Sequence, residues 1–221
     1  EQTPLTPLAK HFGKKLTSGI HRVSIPPDSG FAYAGELLQT IFLRHGLSFK
    51  NRKVSLRQVS SAGQLVYRHY NNLNLQDVIA GMMLYSNNFT ANQLLLTTGM
   101  KRFGSPASLK KGRLAVEGYL TKELGISSDQ FRIAEGSGIS RKNRLTPDAV
   151  LLLLKAFLPY QHLLPREKNI PYKTGTLSGV YSMAGYLSTS DPLYFVILLN
   201  QQKNHREKIR DILLKTDFSS Y

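Results

Sequence analysis

Near the C-terminal end of this chain, three β-like segments follow one another closely, at residues 172–176, 183–189 and 194–199. Ser190-Asp191-Pro192 reads as the turn between the last two. Strands joined this closely pair antiparallel, because a parallel pair needs a crossover of a dozen or more residues. The chain is therefore expected to hold an antiparallel sheet at this end. The first segment carries Lys173-Thr174-Gly175-Thr176. A cation, a hydroxyl and a residue without a side chain suit an exposed strand that grips a carboxylate. The charge attracts it, the hydroxyl donates to it, and glycine lets the backbone approach.

Upstream the pattern is mostly helical. Residues 1–30 are rich in Pro, Gly, Ser and Thr, with a short strand expected at 21–25. Apolar residues at three- and four-residue intervals predict a helix over 31–46, closed by Gly46. Val54 to Val59 alternates and reads as a strand. Asn74 reads as an N-cap with Asp77 three residues on, ahead of a stripe of Leu75, Val78, Ile79, Met82 and Met83. Ser86-Asn87-Asn88 interrupts that stripe, and a second helix is expected from Phe89 to a stop at Gly99. Ser105-Pro106 reads as cap and first residue of a helix running to Leu124, with Gly125 closing it. A short strand at 131–134 and a tight turn at Gly136-Ser137-Gly138 come next. Thr146-Pro147-Asp148 then opens a helix ending near Pro159, and a basic helix is expected over 204–215. The whole reads as mixed α/β.

Composition narrows the function classes. Hydrophobic residues make up 41% of the 221 positions, enough to build a core. No apolar run approaches the roughly 18 residues a membrane span needs. There is no cysteine, so disulfides, zinc-thiolate sites and a cysteine nucleophile are excluded. The six histidines are scattered without metal-ligand spacing, and no cofactor is expected. The net charge of +15 favours an anionic partner. No block of five or six like charges and no nucleic-acid motif accompanies it, so the cations read as spread over the surface and no specific nucleic acid is expected.

Ser86-Asn87-Asn88 is a Ser-x-Asn triplet between two helices, where polar side chains can face a cleft. Taken alone it reads as capping chemistry. Its order relative to Lys173-Thr174-Gly175 is that of the second and third motifs of penicillin-recognising serine enzymes. The segment Ser86-Asn87-Asn88-Phe89-Thr90-Ala91-Asn92-Gln93-Leu94-Leu95 resembles the Ser-Asp-Asn segment of the dacB-type D-alanyl-D-alanine carboxypeptidases, peptidase family S13. Glu135-Gly136-Ser137-Gly138-Ile139-Ser140-Arg141 is similar to that family's Asp-Gly-Ser-Gly-Leu-Ser-Arg segment. Residues 173–180, with Ala184-Gly185-Tyr186 behind them, resemble its third motif and returning strand. The resemblance covers roughly residues 20–215.

It implies the serine β-lactamase/DD-peptidase (transpeptidase-like) fold, an antiparallel sheet flanked by helices. Residues 1–30 would be an N-terminal segment and 31–221 the C-terminal part of the penicillin-binding domain. Ser86 would belong to the proton network around the nucleophile and leaving group, and Asn88 would hold the substrate's peptide carbonyl. Lys173 would face the same network. Thr174 and Thr176 would donate to the terminal carboxylate, the Thr176 N–H would form half of an oxyanion hole, and Gly175 would let the substrate lie along the strand. The implied ligands are peptidoglycan peptides ending in D-Ala-D-Ala and, for the complete enzyme, β-lactams. The implied location is periplasmic.

Two departures qualify this. Asn87 stands where the family usually has Asp. More seriously, the 85 residues before Ser86 contain no Ser-x-x-Lys, the motif that supplies nucleophile and base. The sole match, Ser108-Leu109-Lys110-Lys111, lies downstream in what reads as the first turn of a helix. The chain is therefore expected to carry the second and third motifs without the nucleophile, and to associate with a missing N-terminal segment or with itself. The alternative is a non-catalytic cell-wall or anion-binding module. Encoding of Ser-x-x-Lys upstream in the parent reading frame would separate the two.

Overall fold

The computed structural model describes residues 5–13, 17–19, 23, 25–58, 63–187 and 193–217. The chain divides into two compact units, Glu1–His69 and Tyr70–Tyr221. Most of the strand expected at 21–25 and the turn at 190–192 lie outside the described residues.

The first unit is built on two helices. α1 (Pro7–Phe12) is capped by the Thr6 hydroxyl, which accepts from the Ala9 N–H at 3.2 Å. α2 (Gly30–Arg44) fulfils the helix expected over 31–46. It is tied to α1 by the Leu8 N–H, which donates to the Glu36 carboxylate at 2.8 Å. Thr6 and Ala9 are the only buried residues among those described here. Residues 54–58 of the expected strand are not a strand. Alternation gives a segment two faces but no neighbour, and without a ladder partner its N–H and C=O groups turn to water.

The second unit holds the core. Asn74 and Asp77 form a reciprocal capping box at the start of α3 (Leu75–Tyr85), as their spacing predicts. α4 (Asn88–Phe103) starts on the Asn87 side chain, which accepts from the Thr90 N–H at 3.0 Å. The helix passes straight through Gly99, which is not its stop. A Cβ at Gly99 would lie 2.3 Å from the backbone nitrogen of Gly112, so this glycine exists to let α5 (Leu109–Lys122) cross at backbone contact. α4 ends instead at Gly104. The start of α5 also differs from expectation. Ser108, not Ser105, is the cap, accepting from the Lys111 N–H at 3.2 Å.

Two short strands follow, β1 (Phe131–Arg132) and β2 (Arg144–Leu145), paired antiparallel. Thr146 caps α6 (Pro147–Phe157), which runs into a 3₁₀ turn over Leu158–Leu163. The main sheet has the order β3-β4-β5-β6, all antiparallel: β3 (Arg166–Glu167), β4 (Ile170–Leu177), β5 (Val180–Leu187) and β6 (Leu193–Asn200). The three C-terminal strands match the sequence reading; β3 has no counterpart in it. α7 (Arg206–Leu213) closes the unit.

Strand alternation gives the sheet two apolar faces. On one, Tyr186 and the partly buried Ala184, Tyr194 and Val196 pack with Leu154 of α6 and Met83 of α3. The buried Tyr186 hydroxyl donates to the Leu154 carbonyl at 2.7 Å, and burial beside Tyr194 pushes its pKa up to about 12. On the other face, Met183, Phe195 and Ile197 pack with Tyr172 and with Ile209 and Leu213 of α7. A third cluster joins Leu120, Ile126, Phe131 and Ala149 beneath the β1–β2 pair.

Candidate active-site cleft

β3 pairs with β4 only through Ile170 and Pro171. Beyond Tyr172 the outer edge of β4 has no strand partner among the described residues. That open edge carries Lys173-Thr174-Gly175-Thr176.

Alternation sends the Lys173 side chain to the α3/α6 face, and there it meets Ser86. The Lys173 ammonium donates to Ser86 Oγ at 2.5 Å and to the Thr174 carbonyl at 2.9 Å. Ser86 is the C-cap of α3 and sits in the left-handed region at φ 51° and ψ 49°. Glycine is the usual residue at that position of a helix end, so a serine there retains a backbone cost in exchange for a hydroxyl. Asn88 is the exposed first residue of α4. The Ser-x-Asn triplet thus divides its labour: Asn87 caps the helix, while Ser86 faces the lysine.

Ser86 and Lys173 line a cleft of about 450 Å³, together with Met83, Thr174, Glu167 and Arg206. Burial, with the Arg206 guanidinium nearby, holds the Lys173 ammonium below the usual lysine range. A lysine so placed gives up its proton more readily than a solvated one.

On the opposite face Thr176 meets α7. Arg206 Nη1 donates to Thr176 Oγ1 and to the Gly175 carbonyl, each at 2.9 Å, and reaches the Ser182 carbonyl at 3.4 Å. Its Nε donates to Glu207 at 2.8 Å. A Cβ on Gly175 would lie 2.5 Å from Ser182 Oγ, so the rung beside the lysine is tightest without a side chain. Further along α7, Arg210 pairs with Glu167 at 3.1 Å, and Glu167 accepts from the Tyr172 hydroxyl. That cluster anchors the start of β4 to α7.

The segment at 135–141 forms a separate cluster. Glu135 Oε1 accepts from the Gly138 N–H at 2.8 Å, the Ser140 N–H at 3.2 Å and the Asn143 amide at 2.6 Å. Its other oxygen accepts from the Ser137 N–H at 2.7 Å and from the Ser137 hydroxyl. Burial alone would raise this carboxyl. The Ser137 hydroxyl and the N–H groups of Ser137 and Ser140 outweigh it, leaving the pKa at about 2. Asn92 of α4 accepts from the Gly136 N–H at 2.7 Å, and Arg141 donates to the Ser178 carbonyl at 2.6 Å, just past β4. The loop's chemistry is spent on holding its own shape.

The sequence-predicted residues therefore fall into groups. Ser86 and Lys173 are in direct contact, Thr174 lines the same cleft, and Gly175 and Thr176 continue the open edge. Ser108 is engaged as a helix cap, and the Lys111 ammonium donates to the carbonyls of Gly104 at 2.7 Å and Pro106 at 2.9 Å. Sequence reasoning missed Arg206, which sits in a basic helix 30 residues from the oxygen it holds. Among the described residues no group of three or more His, Asp or Glu is arranged to hold a metal ion.

A helix-flanked antiparallel sheet with Lys-Thr-Gly on an open edge, facing Ser-x-Asn from a helical layer, is the fold of the penicillin-binding DD-peptidases. The chain belongs to the D-Ala-D-Ala carboxypeptidase 3 (S13) family, whose model matches residues 21–165. It is 32% identical over 195 residues to D-alanyl-D-alanine carboxypeptidase DacB of Haemophilus influenzae, covering 76% of this chain and 40% of that one. The crystal structure of penicillin binding protein 4 (dacB) from the same organism is similar with a TM-score of 0.71 and 26% identity, over 88% of this chain and 51% of that chain. Its complex with a β-lactam gives a TM-score of 0.66 and 28% identity, over 84% and 51%. The chain thus spans about half the length of the relatives it matches, or less.

Proposed function

We propose that residues 86–88 and 173–176 form one wall of the cleft of a serine-type D-Ala-D-Ala carboxypeptidase or endopeptidase. Its substrates would be peptidoglycan stem peptides, and its location outside the cytoplasm, where the substrate lies. Residues 1–30 would be an N-terminal segment and 31–221 the C-terminal part of the penicillin-binding domain. The observation that carries this reading is the 2.5 Å contact between the Lys173 ammonium and Ser86 Oγ beside the open edge of β4.

In this reading the peptide lies antiparallel along β4. The hydroxyls of Thr174 and Thr176 and the charge of Lys173 receive its terminal carboxylate. Asn88 holds a peptide carbonyl. A serine attacks the carbonyl carbon of the penultimate D-Ala, its hydroxyl proton passing to the lysine of its own Ser-x-x-Lys motif, and the Thr176 N–H stabilises the oxyanion that forms. When the C–N bond breaks, the departing amine takes up a proton through Ser86, whose own proton is replaced by way of Lys173. Burial and the nearby Arg206 charge, which lower the proton affinity of Lys173 from its ordinary value, suit that relay. Water then hydrolyses the acyl-enzyme.

The attacking serine belongs to a Ser-x-x-Lys motif outside these 221 residues, carried by a companion N-terminal segment. The capping role of Ser108 and the two carbonyl partners of Lys111 support this. Fluorescent penicillin tests it. The parent polypeptide containing Ser-x-x-Lys should be labelled covalently and this chain alone should not. Labelling of this chain alone would overturn the assignment of the nucleophile. A parent frame that starts near Glu1 and is never labelled would favour the non-catalytic wall-binding module.

A further inference from the structure

Arg206 has no role in the reading above, yet few side chains in the cleft make more bonds. One of its terminal nitrogens takes a backbone carbonyl and a hydroxyl on consecutive residues of β4 at 2.9 Å each, and leans on a carbonyl of β5 at 3.4 Å. Its side chain is 13% exposed, and Glu207 fixes the opposite end of the fork. A guanidinium held this way is preorganised.

The consequence falls on Thr176. A hydroxyl offers one proton and two lone pairs. With a guanidinium N–H on one lone pair, the Thr176 O–H proton turns away from the cation. Thr176 is exposed, so it turns toward the solvent side, where a ligand on the strand would lie. The same cation withdraws electron density from the oxygen and makes it a stronger donor. The Gly175 carbonyl, held by the same nitrogen, fixes the plane of the Gly175–Thr176 peptide and so the direction of the Thr176 N–H.

We propose that Arg206 is a positioning residue for carboxylate recognition, orienting the Thr176 hydroxyl as a committed donor and locking the Gly175–Thr176 peptide. The ligands selected would be peptides with a free C-terminal carboxylate over the same peptides ending in an amide. This rests on the reading of β4 as the substrate edge.

The test uses this chain and diacetyl-L-Lys-D-Ala-D-Ala as the free acid and as the C-terminal amide, with binding followed by NMR titration. Arg206→Ala should weaken acid binding about tenfold, in line with the loss of one charge-assisted hydrogen bond. Amide binding should stay within about twofold. Arg206→Lys should recover part of the acid preference, because it keeps the charge without the fork. Thr176→Val should cost the acid about as much, and the double variant no more than either single one. Equal losses for acid and amide would make Arg206 merely structural. Additive losses in the double variant would mean it acts on the ligand by charge and not through Thr176. Either outcome overturns the proposal while leaving the substrate edge intact. Failure of the unsubstituted chain to bind either peptide would overturn the substrate edge itself, and this inference with it.

Discussion

The Glu135 loop and the Ser86–Lys173 corner are both polar clusters, and both are served by α4. The helix begins at Asn88, two residues past Ser86, and Asn92, one turn on, holds the loop. They differ in what is left over. Glu135 spends both oxygens on donors of its own segment, and its charge is held by them down to about pH 2. Lys173 has two acceptors, sits in a cleft and is held below its ordinary range. A saturated group stabilises a shape. A group with capacity to spare, on an open strand edge, is available to a ligand. Substitutions in the loop should therefore cost stability, and substitutions at the corner should cost binding.

The sharpest way to disturb both at once is to move α4. Gly99→Ala drives a methyl into the Gly112 backbone, which cannot rotate away. We expect a loss of about 3 kcal/mol, read by chemical denaturation. Gly175→Ala makes a contact of similar closeness with Ser182 Oγ, a side-chain tip that can turn, so its effect on stability should be far smaller.

Glu135→Gln should cost about 2 kcal/mol near neutral pH, since charge-assisted bonds are replaced by weaker ones. The pH dependence gives its signature. The folded pKa is depressed from the ordinary carboxyl value of 4.5 to about 2. This contribution is therefore complete above about pH 4.5 and is lost as the pH falls through 2. The variant should lack that acid slope, as seen in denaturation curves taken across the window.

Ser86→Gly reverses the sign. It relieves a left-handed backbone and should raise stability by about 0.5–1 kcal/mol while removing the acceptor of Lys173. A gain in melting temperature with weaker peptide binding is the expected pair of results. Lys173→Met has the smallest predicted effect on stability, within about 0.5 kcal/mol at pH 7. Folding disfavours the charged lysine, a penalty fully present below its folded pKa and relieved as the pH rises toward 10.5. The variant should lose that rise at alkaline pH and lose peptide binding altogether.

Much of this contrast could be read from the chain because its determinants are local. The Asn74–Asp77 box and the Thr146 cap need only residues three apart, and the strands at 170–177, 180–187 and 193–200 follow one another closely. What stayed hidden depends on partners far away in sequence. Gly99 looks like a helix stop until Gly112 lies across it. Val54 alternates like a strand but has none beside it in the described structure. Ser105 and Ser108 offer equal capping chemistry, and the choice falls where the chain turns. Arg206 is one of 29 basic residues, and nothing local marks it as the one that holds Thr176. Ser86 and Lys173, 87 residues apart, were joined by motif order and not by any physical pattern in the chain.

The central claim is that the open edge of β4, with Ser86 across from it, receives a peptide carboxylate. Backbone NMR of this chain during titration with diacetyl-L-Lys-D-Ala-D-Ala tests it most directly. The account predicts saturable shifts centred on Ser86 and on Lys173 through Thr176, with the Glu135 loop unmoved. Shifts scattered over the basic surface, or centred on the loop with Lys173 silent, would contradict it.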